Sequence, residues 1–303
     1  MVMRVGMIGF SEGNGHPYSF SAIVNGYDKA AFDLSGWGVI SGYLQKREKT
    51  EFGFKGVKVT HAWSECREST EQLCLACNIE AACDNVTDML GAVDAVIIAR
   101  DDWPNHFDLA SPFLKNGCYV FVDKPLTLDD EQLRRFEDFL YNKRLMSCSG
   151  FRFSTEINLI KPELKKIGPI RTITGTVVND LQKYGIHLID AINGADMNLG
   201  RPLEISRIPS GASSFNILYE NGTNLLLNCL GEATKTFHLS FFGKYGNLHV
   251  DLDDNFGAFK ATLKNFFDLP NSQQMIKPSE TIQTMRLLMS SKKLDVGHSK
   301  RLA

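Results

Sequence analysis

The chain has 303 residues, 43% hydrophobic and 22% charged, which fits one large globular domain or two of ordinary size. Its 33 basic and 35 acidic side chains leave a net charge of −2, without the basic excess of a general nucleic-acid binder. No stretch approaches the roughly 20 apolar residues of a membrane span, and the first residues are too short and too strand-like for a signal peptide. The expected location is therefore the cytoplasm.

Val2–Gly9 is short and apolar and predicts a buried parallel strand. A glycine-bearing loop follows, GFSEGNGHPYSF, and Pro17 suits a first helical turn, with Phe20, Ile23, Val24 and Tyr27 at helical spacing. Residues 28–56 carry no assignable pattern and are long for a crossover connection, which suggests a functional insert. Val57–Trp63 predicts a second strand, followed by a helix to about Ala76. Asp94–Ala99 predicts a third strand, Asp108–Lys115 a helix, Cys118–Val122 a strand, Asp129–Asn142 a helix and Leu145–Cys148 a strand. Strands alternating with helices mean βαβ units and a parallel sheet.

After about residue 150 the pattern changes. Thr172–Val178 and Asn216–Phe242 are β-rich, with hairpin turns expected at Glu220-Asn221-Gly222 and at Gly243–Gly246. The fold class is thus α/β: a Rossmann-type doubly wound parallel sheet over residues 1–125, then an α+β domain with a mostly antiparallel open sheet over 126–303. Four of the seven cysteines cluster: Cys66, Cys74, Cys77 and Cys83. Cys74-x-x-Cys77 is half of a zinc pattern, but the second pair is wrongly spaced. The segment reads better as an amphipathic helix with buried thiols, so no metal is expected.

One stretch is more specific: WPNHFDLASPFLKNGCYVFVDKPLTLDD, in which Pro-Asn-His, a helix, an Asn-Gly turn, an apolar strand and Asp123-Lys124-Pro125 follow in order. Further on stand GFRF at Gly150–Phe153, IGPI at Ile167–Ile170, then KYGIHLID, with Gly185, His187 and Asp190, and LLMSSKKLDVG near the end. Their order resembles the Gfo/Idh/MocA family of NAD(P)-dependent oxidoreductases along nearly the whole chain. The resemblance implies hydride transfer between a nicotinamide and a hydroxyl or keto carbon of a sugar or sugar derivative. It implies that Lys124 hydrogen-bonds the reacting oxygen, that His187 is the general acid/base, and that Pro104, Asn105 and Lys124 border the cofactor. It also implies an open second sheet that packs on another subunit. The apolar residues of Asn224–Leu230 agree, so a homodimer or homotetramer is expected.

Several positions depart from the family pattern. Lys183 stands where an aspartate is common, four residues before His187. On one helical face the two would act together. With Arg152 as a second cation and Asp190 lining the site, this favours an anionic sugar, phosphorylated or carboxylated. At the adenosine end, Ser64 with Arg67 suits a 2′-phosphate, whereas Glu65 suits a free ribose diol. The choice between NAD and NADP leans to NADP. The same residues also fit a plain helix N-terminus. In the opening loop, Gly9 keeps the first glycine position, Ser11 replaces the second, and Gly13, Asn14 and Gly15 follow in a longer turn. Backbone N–H groups before a helix are what a diphosphate needs, so binding is expected to persist in altered geometry. Arg100, Asp101 and Asp102 follow the third strand without an assigned role. The rival reading is a non-catalytic nucleotide- or sugar-binding regulator with the same fold. A third is redox-neutral chemistry on a tightly held cofactor.

Overall fold

The computed structural model describes residues 2–270 and 276–302. The chain forms two compact units. The first takes the chain up to Thr127, Arg134–Ser147 and the stretch from Thr262. The second takes Leu128–Leu133, Cys148–Ala261 and the stretch from Ile276.

The first unit contains β1 (Met3–Ile8), α1 (His16–Asn25), α2 (Lys29–Asp33), α3 (Gly38–Leu44), β2 (Val57–Trp63), α4 (Arg67–Ala76), β3 (Ala81–Ala82), β4 (Ala95–Ile98), α5 (His106–Lys115), β5 (Tyr119–Val122), most of α6 (Asp130–Tyr141) and β6 (Leu145–Met146). All six strands pair in parallel, in the order β3-β2-β1-β4-β5-β6. Parallel strands are covered on both faces, which is why β1, β4 and β5 are near-continuous apolar runs: Val5, Met7, Ile8, Val96, Ile97, Ile98, Val120, Phe121 and Val122 are all buried. The strand order reverses between β1 and β4, and in sheets of this kind ligands bind beyond the carboxyl ends of the strands at such a switch point.

The unassigned stretch 28–56 supplies a cover for α1. Asp28 caps α2 by accepting the Ala31 N–H at 2.8 Å. Ile40 of α3 and the neighbouring Trp37 pack against Gly15, where a Cβ would lie 2.5 Å from Ile40 Cδ1 and 2.6 Å from the Trp37 ring. The apolar run of α1, buried from Pro17 to Val24, is explained by this cover on one side and the sheet on the other.

The second unit contains α7 (Thr155–Lys166), β7 (Ile170–Val177), α8 (Ile186–Gly194), β8 (Pro202–Ile208), β9 (Ser213–Tyr219), β10 (Asn224–Cys229), β11 (Phe237–Gly243), β12 (Asn247–Asp251), the start of α9 (Asn255–Asp268), α10 (Pro278–Lys292) and β13 (Ser299–Arg301). Its seven strands run in the order β12-β11-β7-β10-β9-β8-β13. Among the described residues, β7 and β10 are the one pair of this sheet that runs in parallel. The hairpin turns lie at Glu220-Asn221-Gly222, between β9 and β10, and at Gly243–Gly246, between β11 and β12.

Period-2 alternation buries Ile173, Val177, Leu225, Leu227, Cys229, Ile217, Leu239 and Phe241 on the inner face. The apolar side chains of Asn224–Leu230 point largely into the unit's own core, and β10 offers Asn224, Leu226 and Asn228 as its half-buried alternates. They therefore carry no separate argument for a subunit interface. Among the described residues, no helix is long and apolar enough to cross a membrane.

Close backbone contact fixes α8. Gly194, at its last turn, lies so near the 3₁₀ turn Gly150–Phe153 that a Cβ would stand 2.0 Å from the Arg152 carbonyl oxygen. Backbone cannot yield as a flexible side chain can, so Gly194→Ala is expected to lower the unfolding free energy by about 1–3 kcal/mol. Denaturant unfolding of the variant checks this; an unchanged midpoint would mean that α8 and the turn are not in this contact.

Candidate active site

In the first unit the sequence places its chemistry at the carboxyl ends of β1, β2, β4 and β5. Gly9 ends β1, and the loop turns through Gly13, whose φ of 72° suits glycine, to Gly15 at the N-terminus of α1. Nothing lies within 4 Å of a Cβ built on Gly13, whereas Gly15 is filled by Trp37 and Ile40. The open side of the loop is therefore over Gly13. Asn14 is buried, accepts the His16 N–H at 2.9 Å and donates to Asp123 Oδ2 at 3.3 Å. His16 Nδ1 is 2.5 Å from the same carboxylate oxygen. Lys124 also donates its backbone N–H to Asp123 Oδ1 at 2.9 Å. The Lys124–Pro125 bond is cis, and Lys124 is buried.

Asp123 thus ties the loop to the lysine. Burial works to raise its carboxyl, but the charge and hydrogen bond of His16, together with Lys124, outweigh burial and hold it at about 2.

Other loop ends are tied as well. The Ser11 hydroxyl donates to Asp101 Oδ1 at 2.6 Å and accepts the Asp101 N–H at 3.1 Å, joining the ends of β1 and β4. Arg100 is buried and grips Asp102 with two nitrogens, at 2.7 and 2.6 Å, while a third reaches Glu65 at the end of β2. Pro104 and Asn105 form a short turn, with Asn105 donating to Asp102 Oδ2 at 2.7 Å. His106 was not singled out by sequence. It is fully buried between the carbonyls of Arg100 and Leu126, at 3.2 and 3.0 Å, and burial pushes its pKa down. The histidine of Pro-Asn-His is thus a brace between the β4 end and the segment after Pro125.

Two residues offered for a 2′-phosphate are otherwise engaged. Ser64 is buried, donating to the Cys66 carbonyl at 2.9 Å and lying 2.7 Å from the Thr70 hydroxyl, as at a helix start. Arg67 binds Glu71, Asp84 and the Ala82 carbonyl, each at 2.7 Å. Each guanidinium here faces two carboxylates, Arg100 with Asp102 and Glu65, Arg67 with Glu71 and Asp84. The local balance is negative and opposes a phosphate. Nearby, Cys77 is buried and its thiol donates to the Tyr18 carbonyl at 3.5 Å, while burial pushes Cys74 up to about 12.

In the second unit, Leu181–Gly185 forms a π turn before α8. The straightforward four-residue face expected for Lys183 and His187 is therefore broken by a wider turn. Asp180 caps the turn by accepting the Lys183 N–H at 2.7 Å, and the Lys183 side chain is exposed. His187 Nδ1 is 2.6 Å from Ser149 Oγ. The rings of Phe151, Tyr184 and Phe237 stand around it, with centroids 5.6, 5.8 and 5.6 Å away.

Asp190 and Arg152 differ from expectation. Both are buried. Asp190 Oδ2 accepts the Ser149 N–H at 2.6 Å, and its other oxygen meets Arg152 Nη1 at 3.3 Å. The other end of Arg152 holds Glu280. A guanidinium enclosed by two carboxylates is not a free cation for an anionic substrate. Both residues serve an internal network because a buried charge must be compensated. The sequence does not reveal this, since Glu280 is 128 residues away from Arg152.

By strand order and loop, the first unit is a Rossmann domain of the dinucleotide-binding class, and its open glycine loop and the acid at the β2 end fit such a cofactor. Residues 3–147 match the Gfo/Idh/MocA family, described as an oxidoreductase family with an NAD-binding Rossmann fold. Among curated proteins, none matches the sequence.

Solved structures extend the likeness to the whole fold. Apo scyllo-inositol dehydrogenase from Lactobacillus casei superposes with a TM-score of 0.77 at 15% identity, covering 99% of this chain and 98% of that one. The myo-inositol 2-dehydrogenase of Lactobacillus plantarum gives 0.73 at 15%, with 100% of both chains covered. The myo-inositol dehydrogenase of Lactobacillus casei, in complex with NAD(H) and myo-inositol, gives 0.75 at 15%, covering 100% of this chain and 97% of that one.

Two outcomes test the buried groups. A folded value below the ordinary carboxylate range means that ionised Asp123 stabilises the fold above about pH 4, and that this is lost as pH falls toward about 2. The stability gap between wild type and Asp123→Asn is expected to shrink across that window in denaturant titrations, and a flat gap would contradict the pairing. Arg152→Met strands a buried carboxylate and is expected to cost about 3–5 kcal/mol by the same measurement.

Proposed function

We propose that this chain is an NAD-dependent dehydrogenase or reductase acting on a neutral polyol or sugar. The observation that carries the reading is Lys124, buried at the β5 end behind a carboxylate-braced glycine loop, in a domain that matches an NAD-binding oxidoreductase family. His187, held on α8 in a fold shared with inositol dehydrogenases, supports it. The withdrawal of Arg152 into an internal network removes half of the case for an anionic substrate and leaves only the exposed Lys183.

When bound, the nicotinamide supplies the hydride acceptor or donor. In the oxidising direction it would take up the hydride released from the substrate carbon. The hydroxyl proton passes to His187 as the C=O bond forms. Lys124 hydrogen-bonds the reacting oxygen and stabilises the charge that develops there. Gly13, Asn14, Gly15 and the N-terminus of α1 are assigned to the diphosphate, with Pro104 and Asn105 bordering the cofactor. Glu65, aimed by Arg100, is assigned to the ribose diol, and the negative balance around it favours NAD over NADP, against the lean of the sequence. The division of labour assigns cofactor binding to residues 1–125 and substrate binding and self-association to 126–303.

Fluorescence titration with NADH and NADPH tests this first. NADH is expected to bind about tenfold tighter, and Glu65→Ser to narrow the ratio. Lys124→Ala is expected to keep NADH binding and to lower turnover of an inositol by about 10²–10⁴-fold. If neither nucleotide binds, the dehydrogenase reading falls and the regulator reading takes its place.

A further inference from the structure

Ser149 is fully buried and is clamped to α8 by two bonds. Its hydroxyl lies 2.6 Å from His187 Nδ1, and its N–H donates to Asp190 at 2.6 Å, one helical turn further along the same helix. The same hydroxyl accepts the Phe151 N–H at 3.2 Å, which fixes where its remaining lone pair and proton point. Asp190 is held in turn by Arg152, and Arg152 by Glu280. Three aromatic rings crowd the imidazole, each inclined at 62° or more, so it has little room to turn.

We propose that Ser149 is a positioning residue for His187: its hydroxyl holds Nδ1, so that proton exchange with the substrate oxygen falls to Nε2. This rests on His187 being the acid/base of the reaction proposed above. A hydroxyl accepts from a protonated Nδ1 and donates to a bare one, so it holds the ring in either state. Being uncharged, it does not lock the imidazole as a cation, as a carboxylate partner would. A group that takes a proton in one direction and returns it in the other needs a partner of this kind. Asp190, Arg152 and Glu280 act through Ser149 by keeping its backbone in place.

The test uses ¹⁵N-labelled full-length protein and long-range ¹H–¹⁵N spectra of the imidazole rings, with His187→Gln identifying the His187 signals. Wild type is expected to show a single, hydrogen-bonded Nδ1 distinct from Nε2. Ser149→Ala is expected to shift that signal toward the solvent-exposed position, and Ser149→Thr to restore it. NADH affinity should stay within about twofold in both variants, which separates lost positioning from lost folding.

With myo-inositol or scyllo-inositol as substrate, Ser149→Ala is expected to lower kcat by about 10–100-fold with little change in KM. His187 signals in Ser149→Ala that superimpose on those of wild type would overturn the proposal. So would averaged Nδ1 and Nε2 signals in wild type, a result that needs no variant to fold. If wild type binds no NADH and turns over no inositol, the dehydrogenase reading fails, while the spectra still decide whether Ser149 holds the ring.

Discussion

A carboxylate taken out of water must be met by donors and positive charge, or it destabilises the fold that buries it. Each unit of this chain is built around one such group. In the first, Asp123 at the end of β5 draws Asn14 and His16 from the glycine loop and the backbone N–H of Lys124. In the second, Asp190 on α8 draws Arg152 and the N–H of Ser149, and through Ser149 the ring of His187. The candidate catalytic side chains are therefore placed by demands that do not involve substrate. Pre-organisation of this kind is what proton transfer and hydride transfer require, because misplacement is costly in rate.

The glycine loop shows how a motif can change while its physics stays. The spacing departs from the usual dinucleotide pattern, yet the residues retain distinct tasks. Gly13 supplies a left-handed backbone with open space beside it, and Gly15 leaves room for Trp37 and Ile40. Asn14 and His16 reach back to Asp123. The insert between α1 and β2 is what Gly15 accommodates, so the altered loop and the long insert belong to one adaptation. Around the end of β2, charge counting says more than residue type: Arg100 and Arg67 each lie against two carboxylates.

Most of the fold was legible in the sequence. Short strand-like runs between helical stretches announced β1, β2, β4, β5 and β6, whereas the two-residue β3 gave no signal, and Asn-Gly at 221–222 announced a hairpin. Lys124 and His187 became candidates through an ordered set of short motifs, a signal carried by their order and not by any one of them. The stretch 28–56 was opaque because α2 and α3 are short and bury few apolar residues, Phe32 in one and Ile40 and Leu44 in the other, too few to form a periodic stripe. The π turn at 181–185 was equally hidden, since it arises from how the chain enters α8 and not from residue spacing.

What the sequence by itself determined is the class of architecture and the types of side chain available to it, because periodicity, turn chemistry and motif order are local properties. What only the tertiary structure decided is which of those side chains are spent. Arg152 and Asp190, offered as substrate ligands, neutralise each other with Glu280, and Ser64 and Arg67 are consumed at a helix start and in surface pairs. Ser149, unremarkable in the sequence, holds His187. These assignments depend on partners tens of residues away, and a charge or hydroxyl has a function only once its neighbours have been counted.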